Sequence, residues 1–316
     1  MSSSARGRIL VSVTGWDPSQ WVRLLAGDHE VISEPDGPAD PTVEYAVVWK
    51  HPHGSLKQFP NLKAIFSLGA GVDHILTDPD LPDVPVARIV QENLTRHMVE
   101  YVTWRVMDHH RQGSTYRAQQ AEKVWFEPNQ PTTAEVSVGI MGLGELGSAA
   151  AKALLGLGFT VNGWTRTPKS VEGVNCFAGQ DGLRDFLAAT DILVVLLPHT
   201  PATEGIIDYE LLRGLRRDNA LGGASLINAG RGKLQKEADI LRALEDGTLK
   251  EASLDVFEVE PLPENSALWN HPRVFITPHA AASSDPRHLG PLILEQIARF
   301  ERGEPLLHLV DISAGY

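Results

Sequence analysis

A single cysteine, Cys176, is present in 316 residues, so no internal disulfide can form and a reducing compartment fits. Positive charge is scarce as well. Twenty-eight lysines and arginines stand against 40 acids, a formal net charge of −12. That balance excludes general attraction to nucleic acid or to an anionic membrane, and any anion site must be local, set against a repulsive background. Long apolar runs are missing too. Stretches such as ILVVLLP are too short to cross a bilayer, and MSSSARGRIL holds no apolar segment of secretory length, so cytoplasm is the expected location. Low-complexity linkers and short-period repeats are also absent. What remains is 42% hydrophobic and 22% charged, enough for real cores, and the length suggests two domains.

Short apolar runs alternate with helical patterns from end to end. RILVSV, VEYAVVW, LKAIFSLG and VPVARIV are strand candidates in the first third, with PSQWVRLLAG and HGSLKQFP as helix-like or turn-rich pieces between them. From Glu135 the rhythm repeats in EVSVGIMG, FTVNGW, DILVVLLP, ASLINAG, EASLDVF and RVFITP. Strands without polar alternation, separated by amphipathic helices, predict parallel sheets covered on both faces. Helical spacing at Met98, Val102 and Val106 marks residues 95–123 as a long connector between domains, with room for a partner packed on it. LILEQIARFERG lies beyond the last strand and is expected to return to the first domain. The expected division is residues 1–100 plus 286–316 against residues 101–285.

VGIMGLGELG carries Gly142, Gly144 and Gly147 in the pattern G-x-G-x-x-G. Alone, such a match is often only a packing turn. Here an apolar strand precedes it, the helix GELGSAAAKALLGLG follows, and FTVNGW supplies the second strand, so a whole dinucleotide-binding βαβ unit is expected. Gly142 permits the tight turn, Gly144 the approach of a pyrophosphate to the helix N-terminus, and Gly147 close packing of helix on sheet. One further absence then matters. About 20 residues past this motif an acid normally takes the ribose hydroxyls of NAD, but WTRTPK has none. Arg166 stands there with Thr165, Thr167 and Lys169, a set suited to a 2′-phosphate, against the ordinary alternative of a solvated basic loop. NADPH is therefore the expected cofactor, with NADH a weaker alternative.

Three further stretches end strands in the same half: INAGRG with Arg231, LDVFEVEPLP with Asp255 and Glu260, and ITPHAA with His279. Open α/β sheets place their chemistry at such ends. A 2-keto acid needs a cation for its carboxylate and carbonyl oxygen, which Arg231 can grip in a bidentate fashion. It also needs a proton donor at that oxygen, a task for His279, with Glu260 behind the imidazole to orient it and hold its proton. Singly, each has a plainer reading: a surface histidine, a helix-capping arginine, an acidic loop or a hard-metal site. Together, after a cofactor fold, they point to hydride transfer. No metal is called for.

GLGELG, NAGRG, LDVFEVEPLP and TPHAA, in this order, resemble the D-isomer-specific 2-hydroxyacid dehydrogenases over nearly the whole chain. YAVVWKHP, FSLGAGVDHI, WTRTPKS and LWNHPRVFITPH are most similar to its bacterial glyoxylate/hydroxypyruvate reductase A branch. The resemblance implies two Rossmann- or flavodoxin-like parallel-sheet domains, one substrate-binding (cap) and one dinucleotide-binding, with the active site in the cleft between them, and commonly a homodimer. It implies Arg231, Glu260 and His279 as the catalytic trio and Asp255 near the nicotinamide. Glu145, Leu146, Leu197, Pro198, Ala229 and Gly230 are implied as further cofactor contacts. Around Ala70 and Gly71, backbone N–H groups are expected to hold the substrate carboxylate, with Leu68 and Gly69 also at the substrate and Trp49 walling the pocket. Reduction of glyoxylate or hydroxypyruvate is the expected reaction. Alternatives are a reductase of bulkier keto acids such as phenylpyruvate, an NAD-linked oxidative enzyme, or a dinucleotide-sensing corepressor; a formate dehydrogenase would carry glutamine beside the histidine.

Overall fold

The structure is a computed structural model and describes residues 7–15, 17–33, 40–69 and 71–312. By its contacts the chain divides into two units, Met1–Leu94 with Ser283–Tyr316, and Thr95–Ala282.

The first unit contains β1 (Arg8–Val13), α1 (Ser19–Leu25), β2 (Val31–Ser33), β3 (Val43–Trp49), β4 (Ala64–Ser67), α2 (Asp73–Leu76) and β5 (Val86–Ala87). Its strands pair in parallel in the order β2-β1-β3-β4-β5, which is the flavodoxin-like arrangement. The period of two separates the faces. Ile9, Val11, Tyr45, Val47 and Phe66 enter one core, while Leu10, Ala46, Val48 and Ile65 enter the other. Trp21 and Leu25 of α1 close the first core together with the chain's last helix, Pro286–Glu301. That helix presents Leu289, Ile293 and Ile297 at a spacing of four, one stripe of an α-helix. Asp285 caps it, accepting the Arg287 N–H at 2.9 Å, and Pro286 occupies the first helical position.

The second unit is reached through α3 (Glu92–His110) and α4 (Gly113–Glu122). The expected connector is thus two helices. Gln112 breaks them at φ 56, in the left-handed region, and its side-chain amide donates to Asn129 O at 2.7 Å. There follow β6 (Ser137–Met141), α5 (Glu145–Gly156), β7 (Thr160–Thr165), β8 (Asn175–Ala178), α6 (Gly179–Ala188), β9 (Ile192–Val195), α7 (Tyr209–Arg213), β10 (Ser225–Asn228), α8 (Glu237–Glu245), β11 (Glu251–Leu254) and β12 (Val274–Ile276). The seven strands run parallel in the order β12-β11-β10-β9-β6-β7-β8. Val138, Ile140, Val194 and Ile227 pack under α3 and α5, and Met141, Val195, Leu226 and Leu254 under α6, α7 and α8.

Two strands escape the reading of apolar runs. Both β2 and β8 are short edge strands whose residues are half-buried or exposed, so neither carries a hydrophobic run. VPVARIV contributes only Val86–Ala87. Among the described residues no helix is long and apolar enough to cross a membrane.

Candidate active site

All strands of the second unit are parallel, so their carboxyl ends share one edge, and the chain order reverses there between β6 and β9. Such a switch point is where open α/β sheets bind ligands. The glycine turn sits on it. Gly142 has φ 101, and a Cβ there would lie 2.9 Å from the Leu196 carbonyl. A Cβ on Gly147 would stand 1.9 Å from the Gly142 carbonyl, so α5 rests directly on the turn. Gly144 differs: a Cβ there would meet no protein atom within 4 Å. Its small size is not demanded by packing, which fits a position left clear for a ligand at the start of α5. Glu145 and Leu146 form that first turn, where backbone dipoles favour an anion.

At the end of β7, Trp164 anchors its indole N–H on Gly179 O at 2.9 Å, and the Thr165 hydroxyl donates to Thr167 O at 2.7 Å. Arg166 and Thr167 are exposed. The Lys169 ammonium donates to the Leu143 carbonyl, inside the glycine turn, so positive charge reaches its rim. On the other side of β6, Leu197 and Pro198 follow β9. A Cβ on Gly230 would lie 2.9 Å from Leu197 O, so the ends of β9 and β10 are in close contact.

After β10, Ala229 and Gly230 lead to Arg231. Asn228 shapes this turn: its Oδ1 accepts the Gly230 N–H at 3.1 Å, and its amide donates to Arg231 O at 3.2 Å and Gln235 Oε1 at 2.8 Å. Gln235 in turn donates to Val256 O at 2.9 Å, tying the β10 turn to the end of β11. One guanidinium nitrogen of Arg231, Nη1, donates to Gly230 O at 2.8 Å. Gly232 fits against β11's continuation, where a Cβ would lie 1.8 Å from the Phe257 carbonyl.

The acids of LDVFEVEP turn three different ways. Glu258 accepts the Glu237 N–H at 2.7 Å, and Glu237 accepts the Glu258 N–H at 2.8 Å. Burial pushes the Glu237 carboxyl above its ordinary range, with the Glu258 charge adding to the effect. Glu260 Oε2 lies 2.9 Å from His279 Nδ1, and its Oε1 accepts the Phe257 N–H at 3.2 Å. Nδ1 is thus committed to the carboxylate. Asp255 is the residue expected near the nicotinamide. It is 1% exposed, and its carboxylate accepts from the Thr277 hydroxyl at 2.6 Å and the Ala280 and Ala281 N–H groups at 2.8 and 3.0 Å. The same residue's carbonyl accepts the His279 N–H at 2.7 Å. Through these bonds Asp255 builds the turn that carries His279, at φ 54.

Tyr101, absent from the expected site, reaches this turn as well. Its hydroxyl lies 2.9 Å from Thr277 Oγ1, whose own proton goes to Asp255, so the phenol donates. Burial pushes the Tyr101 phenol up, which keeps that proton in place. Its position in the helical stripe of α3 gives no sign of this contact.

In the first unit, Trp49 ends β3 and Leu68 follows β4. A Cβ on Gly69 would lie 2.4 Å from Trp49 Cζ3, so the indole covers that glycine. The Gly69 N–H is directed to Ser67 Oγ at 3.3 Å, and Ser67 donates to Gly71 O at 3.0 Å. Ala70 lies outside the described residues.

A glycine turn at the switch point, a cationic strand end beside it, and an arginine and a carboxylate-paired histidine on the same edge define the class: a dinucleotide-fold oxidoreductase. The chain belongs to the D-isomer specific 2-hydroxyacid dehydrogenases, whose NAD binding domain model matches residues 103–281. A glyoxylate/hydroxypyruvate reductase A of Salmonella heidelberg is 42% identical over 308 residues, 94% of this chain and 96% of that protein. The NADPH-dependent glyoxylate/hydroxypyruvate reductase of Sinorhizobium meliloti, solved with NADP and sulfate, superposes with a TM-score of 0.92 at 45% identity, over 98% of this chain and 100% of that one. A D-isomer specific 2-hydroxyacid dehydrogenase of Xanthobacter autotrophicus, solved with NADPH and MES, gives 0.91 at 43% identity, over 99% and 100%.

Proposed function

We propose that this protein reduces small 2-keto acids, glyoxylate to glycolate and hydroxypyruvate to D-glycerate, with NADPH preferred and NADH a weaker donor. The observation that carries the reading is the His279–Glu260 pair, 2.9 Å apart, on the strand-end edge that also bears Arg231 and the glycine turn. The names and bound cofactors of the relatives support it.

Gly142, Gly144, Glu145, Leu146 and Gly147 are suited to the pyrophosphate, and Thr165, Arg166, Thr167 and Lys169 to a 2′-phosphate. Leu197, Pro198, Ala229 and Gly230 line the course towards the nicotinamide, and Asp255 acts there through the turn it builds. The bound cofactor supplies hydride to the carbonyl carbon. Arg231 holds the carboxylate and carbonyl oxygen and stabilises charge developing on the latter. His279 gives its Nε2 proton to that oxygen, and Glu260 balances the imidazolium. Hydride and proton together would reduce the carbonyl, an aldehyde in glyoxylate and a ketone in hydroxypyruvate, to the alcohol. In the first unit, backbone N–H groups around Ala70 and Gly71 take the carboxylate, Leu68 and Gly69 shape that turn, and Trp49 limits the substrate's side chain.

A homodimer in the cytoplasm completes the proposal. Trp104, Val124, Trp125 and Phe126 are 50%, 47%, 102% and 63% exposed, apolar surface that a second copy would cover. Steady NADPH consumption against a panel of keto acids, repeated with NADH, tests the activity. No turnover with any of them would overturn it in favour of a sensing role.

A further inference from the structure

His74, on α2, has no part in the chemistry above, yet its ring stands against Trp49 with centroids 4.8 Å apart, at 56°. Two of its hydrogen bonds fix the proton arrangement. Nδ1 accepts the Lys50 N–H at 3.2 Å, so that nitrogen carries no hydrogen. Nε2 lies 3.3 Å from Ser67 Oγ. The Ser67 proton is already given to Gly71 O at 3.0 Å, so towards His74 the serine accepts. The ring is therefore neutral, with its hydrogen on Nε2. An Nδ1–H tautomer would set two N–H groups head to head.

The segment this ring secures is an unusual one. Lys50 has φ 48, in the left-handed region that non-glycine residues seldom adopt. The chain bends there immediately after Trp49, and the N–H released from the strand ladder is the one His74 accepts. Ser67, at the other end of the contact, is fully buried and also receives the Gly69 N–H. One imidazole thus joins the end of β3 to the turn after β4.

We propose that His74 is a positioning residue for the keto acid: as the neutral Nε2–H tautomer it fixes Trp49 against the Ser67–Gly71 turn. This rests on the reading that Trp49 and that turn meet the substrate. Losing both hydrogen bonds loosens the pair and weakens substrate affinity, while the cofactor and the proton donor, which belong to the other unit's residues, are unaffected.

Two measurements test it. Nitrogen-15 NMR of the histidine-labelled full-length protein near neutral pH should show His74 as the neutral Nε2–H tautomer. His74→Phe keeps an aromatic ring beside Trp49 but removes both hydrogen bonds. It should raise KM for glyoxylate about tenfold, the scale of one or two neutral hydrogen bonds, with kcat and KM for NADPH unchanged. His74→Asn, which retains an acceptor for the Lys50 N–H, should recover part of the loss. Ser67→Ala should give the same KM effect if His74→Phe fails to fold. An Nδ1–H tautomer, or an unchanged glyoxylate KM in these folded variants, overturns the proposal. If the wild-type protein turns over no keto acid, the functional reading fails on its own, and the tautomer still decides whether the tie exists.

Discussion

His279 Nδ1 and Glu260 Oε2 lie 2.9 Å apart, and the Phe257 N–H holds the other carboxylate oxygen of Glu260 at 3.2 Å. The carboxylate is therefore fixed before it fixes the imidazole. General acid catalysis typically contributes about 10²–10⁴ in rate. His279→Ala should accordingly lower kcat at least about a hundredfold on that scale, with NADPH binding intact. Glu260→Gln should lose less, and adding it to His279→Ala should cost nothing further, since the two act as a unit. Fully additive losses in the double variant would separate Glu260 from the histidine.

Arg166 and Lys169 are three residues apart in sequence but sit differently. Lys169 donates to the Leu143 carbonyl within the glycine turn, while Arg166 is exposed at the end of β7. Charge-assisted hydrogen bonds are worth about 1.5–3 kcal/mol. Arg166→Ala should then raise KM for NADPH about ten- to a hundredfold and leave NADH nearly unchanged. Lys169→Ala should weaken both cofactors, because it also releases the turn. Equal losses with both cofactors in Arg166→Ala would mean that this guanidinium does not read the phosphate.

The cap of the last helix carries a pH dependence. Hydrogen bonding by Arg287 holds the Asp285 carboxyl down at about 2, against an ordinary value of 3.8. A depressed carboxylate contributes stability that is present above the ordinary value and is lost as pH falls through the folded one. Asp285→Ala should cost about 1 kcal/mol at neutral pH, as N-cap deletions do. The difference in Tm from wild type should shrink between about pH 4 and pH 2. A difference that stays constant across that window would assign the effect to packing and not to the ionised cap.

Features written in one stretch of chain were legible beforehand. The three glycines announce their turn because all three stand within six residues of one another, and the strand-end motifs follow because parallel strands deliver their ends to one edge. Contacts between distant stretches left no such mark. Nothing in LDVFEVEP shows that Asp255 bonds to Thr277, Ala280 and Ala281, which the next strand's turn supplies. Gly232 is one letter of NAGRG until Phe257 is brought against it. The pairing of His74 with Ser67 and Lys50 spans a turn and a strand ladder, and neither residue type announces it. Edge strands β2 and β8 lacked the apolar run that only two-sided burial requires.

Substrate size is the remaining question, and Trp49 decides it in this reading. Its indole covers Gly69, where a Cβ would lie 2.4 Å from Cζ3, stands tilted against His74, and packs on the first unit's core. On the proposed reading, a rigid indole over that turn would leave room for the hydrogen of glyoxylate or the hydroxymethyl of hydroxypyruvate and little more. Trp49→Ala should therefore raise kcat/KM for phenylpyruvate relative to glyoxylate. Because the side chain is only half-buried, the loss of stability should fall below the roughly 3–5 kcal/mol typical of a fully buried aromatic. Tm and the keto-acid panel, measured on the same preparation, separate the two roles. A large fall in Tm with the substrate ranking unchanged would make Trp49 a core residue and remove it from the pocket.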